Sequence, residues 1–122
     1  EIDGLAHPLI DMRCVQPANI PTFDILTAGF PCQPFTELAC DQRQGLNCED
    51  GQLVHELIRI LRERQPAAAL LENVAGLLTI NHGKDFKKII AALEGVGYAV
   101  GWQLLSAEHF VPQQRLRLYI VC

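Results

Sequence analysis

At 122 residues, with 49% hydrophobic and 20% charged side chains, the chain has the length and composition of a single globular domain. A formal charge of −4 excludes a strongly basic module that grips phosphates over a whole face, so contact with nucleic acid is expected either outside this stretch or at an active site alone. The five cysteines form no C-x-x-C pair and leave one over from any complete pairing, which argues for reduced thiols; the scattered histidines argue against a zinc site. No signal peptide precedes the first motif and no apolar run approaches membrane-spanning length, so a soluble protein is expected, cytoplasmic if bacterial and nuclear if eukaryotic.

Residues 1–22 carry little periodicity. His7-Pro8, Pro17 and Pro21 punctuate them, and Leu9-Ile10 alone reads as a strand remnant. Ile25 to Ala28 then reads as a short buried strand stopped by Gly29. After it, Cys32 stands between Pro31 and Pro34 with Gln33, and each proline fixes its own φ and biases its predecessor toward extended backbone. The thiol is thereby held at a strand's carboxyl end, where open α/β sheets place their ligands. Glu37 to Asp50 is polar and aperiodic, in the manner of a functional lid or a disordered loop.

From Gln52 to Arg64, apolar Leu53, Val54, Leu57, Ile58 and Leu61 recur at helical spacing, and Arg59, Arg62 and Arg64 mix with Glu56 and Glu63 on a solvated, salt-bridged face. Gln65-Pro66 ends that helix. Ala67 to Leu71 reads as a strand covered on both faces, ended by Glu72. Lys84 to Val96 is a second amphipathic helix, with Gly95 and Gly97 as stop signals. Tyr98 to Leu105 and Arg117 to Val121 read as strands flanking a segment with His109. The expected fold is α/β, a partial Rossmann-like doubly wound sheet, mostly parallel with a C-terminal antiparallel hairpin.

Three stretches, Phe30-Pro31-Cys32-Gln33, Glu72-Asn73-Val74 and Gln113-Gln114-Arg115-Leu116-Arg117, occur in the order and at the separations of the cytosine-5 DNA methyltransferases, and the chain resembles that family from about residue 11 to residue 122. The resemblance implies methyl transfer from S-adenosylmethionine to C5 of a cytosine flipped out of duplex DNA. Cys32 is then the nucleophile that adds to C6 and Glu72 the acid at N3. Arg117 is the donor to O2, and Arg115, placed on the opposite strand face, orients the thiol loop or a phosphate. It further assigns Asp11, Phe30, Pro31 and Glu1 to the cofactor, and Gln33, Asn73 and Gln113 to the substrate side, Asn73 bracing loops and Gln113 fixing its turn.

Two departures accompany the likeness. The family's glycine-rich Phe-x-Gly-x-Gly strand and its target-recognition domain have no counterpart here, so an incomplete catalytic domain, inactive alone and completed by a further chain, is expected. The loop after Cys32 ends in Asp50-Gly51 where the family has Arg-Gly, putting an anion where a phosphate would be met. Alternatives stay open: a tRNA-methylating member of the family, a non-catalytic degenerate module, or a thiol hydrolase pairing Cys32 with His109.

Overall fold

The computed structural model of the chain describes residues 11–31 and 49–122, with side chains from Leu53 onward in the second stretch. Six regular elements follow in chain order: β1 (Ile25–Gly29), α1 (Glu49–Arg64), β2 (Ala68–Val74), α2 (Lys84–Gly95), β3 (Gly101–Ser106) and β4 (Leu116–Val121). The sheet order is β1-β2-β4-β3. β1 pairs with β2 in parallel, and β4 lies antiparallel to both β2 and β3, so β1, β2 and β3 all run the same way with β4 inserted against them. The expected hairpin is therefore present, and it closes onto β2 through its second strand.

Why α1 packs as it does follows from its spacing. Val54, Leu57, Ile58 and Leu61 fall on one stripe and are all buried, against Ala69 and Leu71 of β2 and Leu118 and Ile120 of β4. α2 adds Phe86, Ile89 and Leu93 to the same cluster, so both helices lie on one face of the sheet. Each fully buried leucine stabilises the fold by roughly 1.5–3 kcal/mol relative to exposure. The rings of Phe86 and of Trp102 on β3 meet in a T-shaped contact, with centroids 5.4 Å apart at 85°.

The helix ends are chemically specified. α1 stops at Gln65, which takes φ 47° before Pro66; its Nε2 donates to the carbonyls of Leu61 and Arg62, at 3.2 Å each, and to Val96 at 3.1 Å, tying the ends of the two helices together. α2 ends in a Schellman turn: Gly97 N–H donates to the Glu94 carbonyl and Tyr98 N–H to the Leu93 carbonyl, with Gly97 at φ 104°. The expected role of Gly97 as a stop is met by geometry only glycine adopts readily.

Three boundaries and one burial expectation are corrected. β2 continues through Val74, so Glu72 lies inside the strand instead of ending it, because Asn73 and Val74 still pair with Leu118 and Arg117. β3 starts at Gly101, three residues after Tyr98, whose N–H is committed to the helix cap. α1 begins at Glu49, before the expected Gln52. The apolar runs of β1 and β2 are covered on one face only among the described residues: burial alternates along β2, and Ile25 is 65% exposed and Leu70 40%.

Candidate active site

The strand period decides what each motif residue can do. Successive β2 side chains point to opposite faces, so Ala69, Leu71 and Asn73 face the helices while Leu70, Glu72 and Val74 face away. On β1, Gly29 is the register partner of Glu72; on β4, Tyr119 lies opposite Glu72 and Arg117 opposite Val74. Glu72, Val74 and Arg117 thus meet on the uncovered face, at the carboxyl edge of β1 and β2.

They line a cavity of about 380 Å3 together with Gly29, Phe30, Pro31 and Arg115. Glu72 Oε1 is ion-paired with Arg117 Nε at 3.0 Å, and a terminal nitrogen of Arg115 stands 3.8 Å away. Arg117 also donates to the Leu116 carbonyl at 2.9 Å, which holds its guanidinium along the strand edge. The expectation that Arg115 occupies the opposite strand face is overturned: residues two apart on an extended chain share a face, and both guanidiniums reach the same carboxylate.

Asn73, one residue on from Glu72, serves the other face. It is 1% exposed; its Nδ2 donates to the Phe30 carbonyl at 3.2 Å, while its Oδ1 accepts the Val74 N–H at 2.8 Å. A buried amide thereby holds the backbone one residue before Pro31. Phe30 itself is buried in the core cluster and presents only a border to the cavity.

Other expected residues stand apart from this cavity. Asp11 caps the turn Met12–Cys14 and is ion-paired with Arg13 at 2.6 Å. Hydrogen bonds from the Arg13 side chain and backbone N–H hold its carboxyl down at a pKa of about 2. Arg59 fastens that segment to α1, donating to the carbonyls of Met12 (3.3 Å) and Val15 (2.9 Å) as well as to Glu56 (2.8 Å). Gln113 is exposed, and its backbone N–H donates to the Val111 carbonyl at 2.7 Å, a tight turn before β4. Glu1, Cys32, Gln33 and the Asp50 side chain lie outside the described residues. Gly29 and Val74 border the cavity without having been singled out; period-two counting from Glu72, and the place of Gly29 at the end of β1, are the signals that reach them.

No helix among the described residues is long and apolar enough to cross a membrane, and no group of His, Cys, Asp and Glu among them is arranged to hold a metal ion.

The chain is 47% identical over 104 residues to the Type II methyltransferase M.BanI of Aneurinibacillus aneurinilyticus, covering 84% of this chain and 24% of that protein. It is 41% identical over 116 residues to the Type II methyltransferase M.MspI of Moraxella sp, covering 93% and 27%. The chain thus spans about a quarter of the length of these relatives. In three dimensions it is similar to the Entamoeba histolytica methyltransferase EhMeth, with a TM-score of 0.59 at 19% identity over 80% of this chain and 31% of that one. The sequence model of the C-5 cytosine-specific DNA methylase family matches residues 2–122, and the chain belongs to that family.

Proposed function

We propose that the chain is the base-handling part of a DNA cytosine-5 methyltransferase that uses S-adenosylmethionine, of the kind that accompanies restriction enzymes as its Type II relatives' names indicate. The observation that carries this reading is the Glu72–Arg117 pair, 3.0 Å apart in a cavity whose wall includes Pro31, the residue before Cys32. A carboxyl group and a guanidinium side by side match the N3 and O2 edge of a flipped cytosine.

In this reading the Cys32 thiolate adds to C6, forming the S–C6 bond, and the C5=C6 electron pair shifts into the ring toward N3 and O2. Arg117 donates to O2 and Glu72 supplies a proton at N3, so the charge that develops is met where it appears. Arg115 keeps the carboxyl group of Glu72 turned toward the cavity, and Asn73 holds the strand-to-loop backbone in place. The methyl donor supplies an electrophilic carbon to C5 when bound. The described residues fit only its reacting end: Phe30 and Pro31 border the cavity, whereas Asp11 is engaged by Arg13 and lies off it. A cofactor cradle from residues beyond these, within a longer chain or a partner, is part of the proposal.

The test is adduct formation with an oligonucleotide carrying 5-azacytosine. Its ring nitrogen at position 5 takes up a proton in place of a methyl group, so the S–C6 bond forms without a donor. A mass increase of one oligonucleotide on the Cys32 peptide, absent in Cys32→Ser and slowed in Glu72→Gln, is expected. No adduct on the wild-type chain, or one that survives Cys32→Ser, would overturn the reading and favour a non-catalytic module. Faster capture of tRNA than of DNA would move the substrate to RNA.

A further inference from the structure

All of the chain's lysines, Lys84, Lys87 and Lys88, fall within the first turns of α2, directly after His82, in a chain whose formal charge is −4. Their placement opposes the helix's own electrostatics. Cations are favoured at a helix carboxyl end and disfavoured at the amino end, yet the last turn of α2 carries no basic residue. A local rule broken without a gain to the fold marks a surface with another use.

Among the described residues, Lys84 and Lys87 have no ion pair and Lys88 has a long one. Lys84, Lys87, Lys88 and His82 are all exposed, Lys88 with 66% of its side chain in solvent. The nearest acid, Asp85, is 3% exposed and turned inward, accepting from Asn81 Nδ2 at 2.7 Å; Lys88 Nζ reaches it only at 4.0 Å. Asn81, His82, Lys84, Asp85 and Lys88 border an open cavity of about 280 Å3.

Topology puts this cluster at the carboxyl end of β2, the end of the sheet that carries the candidate site. β2 ends at Val74, a wall of the base cavity, and the turns Ala75–Leu78 and Ile80–Gly83 carry the chain to α2, the first of them packing against β4. His82 follows Val74 by eight positions. Even a fully extended connection of that length spans no more than about 28 Å, some eight nucleotide steps along one strand. Arg115, half exposed beside Glu72, adds a further cation at the candidate site itself.

We propose that His82, Lys84, Lys87 and Lys88 form a docking surface for the phosphodiester backbone of duplex DNA flanking the base held at Glu72 and Arg117. The proposal rests on the functional reading above and deepens it. It also shows how a chain of negative formal charge meets a polyanion: through a local concentration of cations on the working edge.

The experiment uses the full chain and two probes: a fluorescein-labelled 30-base-pair duplex read by anisotropy at several salt concentrations, and a trinucleotide carrying 5-azacytosine, with too few phosphates to occupy the lysine cluster as a duplex would. Lys84→Glu/Lys87→Glu/Lys88→Glu is expected to weaken duplex binding at least tenfold and to flatten the salt dependence by about 2–3 units of slope, at roughly 0.9 per phosphate contact. Its adduct rate on the trinucleotide stays that of the wild type. A control with two charge reversals, Arg62→Glu/Arg64→Glu at the far end of α1, leaves both readouts unchanged. The corresponding Lys→Gln set, expected to lie between the wild type and the reversal, keeps the test independent of any effect of new acids on folding. Equal duplex affinity in wild type and triple variant, no duplex binding by the wild type, or equal loss in the control overturns the docking surface. Failure of the functional reading shows separately, as no adduct on the trinucleotide from any variant while duplex affinity still follows the lysines.

Discussion

Arg117 Nε and Glu72 Oε1 are joined across a diagonal of the antiparallel β2–β4 ladder: Arg117 stands opposite Val74, and Glu72 opposite Tyr119, two positions along. A diagonal pair is within reach of a long guanidinium but not of a short side chain. The rigidity of two paired strands therefore sets the separation of acid and cation before any base arrives. Glu72→Gln, which keeps the shape and removes the carboxylic acid, is expected to slow adduct formation on 5-azacytosine by about 10²-fold. Arg117→Lys keeps the charge, loses the planar fork, and is expected to slow it by a similar order. Both are measured as single-turnover adduct rates, and a rate unchanged in either variant would remove that residue from the reaction.

The amide of Asn73 should matter to stability as well as to chemistry. Asn73→Ala deletes its hydrogen bonds to the Phe30 carbonyl and the Val74 N–H in a site from which water is excluded. We expect a loss of about 1–3 kcal/mol in urea unfolding. The adduct rate should fall too, even at temperatures where the variant is fully folded, because the segment leading to Cys32 loses its tether.

Two glycines two residues apart should respond with opposite signs. Gly95 is the last helical residue of α2 and a Cβ there would meet nothing within 4 Å, so Gly95→Ala is expected to stabilise by about 0.5–1 kcal/mol. Gly97 has equally open surroundings but a φ of 104°, and Gly97→Ala is expected to destabilise by about 1 kcal/mol or more. Paired thermal melts of the two variants check this. Equal effects would show that the cap is not formed as described.

Stability should also fall in alkali. Burial pushes the Cys122 thiol above its ordinary 9.0; burial, with the neighbouring Cys122 adding to it, pushes the Tyr98 hydroxyl above its ordinary 10.0. The Tyr98 hydroxyl donates to the Pro66 carbonyl at 2.9 Å, a bond that needs its proton. Both groups hold protons more tightly folded than unfolded, so their contribution is complete below about pH 9 and is lost as pH rises through the folded values. Urea midpoints at pH 8 and pH 10.5 should therefore differ less in Cys122→Ala than in the wild type. An identical pH dependence would mean the thiol is not buried.

The sequence by itself determined the elements and the family. Apolar spacing at Val54, Leu57, Ile58 and Leu61 and at Phe86, Ile89 and Leu93 is enough to specify two one-sided helices, because burial of those stripes outweighs any local preference. The glycine at 97 and the proline at 66 mark where those helices must stop. The motifs around residues 31, 72 and 115 name a chemistry, since few families need those side chains in that order.

Tertiary structure decided which of the named residues meet. Glu72 and Arg117 are 45 positions apart in the chain, and only the insertion of β4 beside β2, instead of beside β1, brings them to one cavity. Pairing register also carried β2 past Glu72 and put Arg115 on the same side as Arg117, since a strand's extent and facing are set by its neighbours' hydrogen bonds, which no local pattern encodes. Likewise, a count of charges spreads −4 evenly over the molecule, whereas the fold turns the three neighbouring lysines of α2 to solvent and Asp85 inward. Position in space, unlike composition, fixes what a polyanion would encounter there.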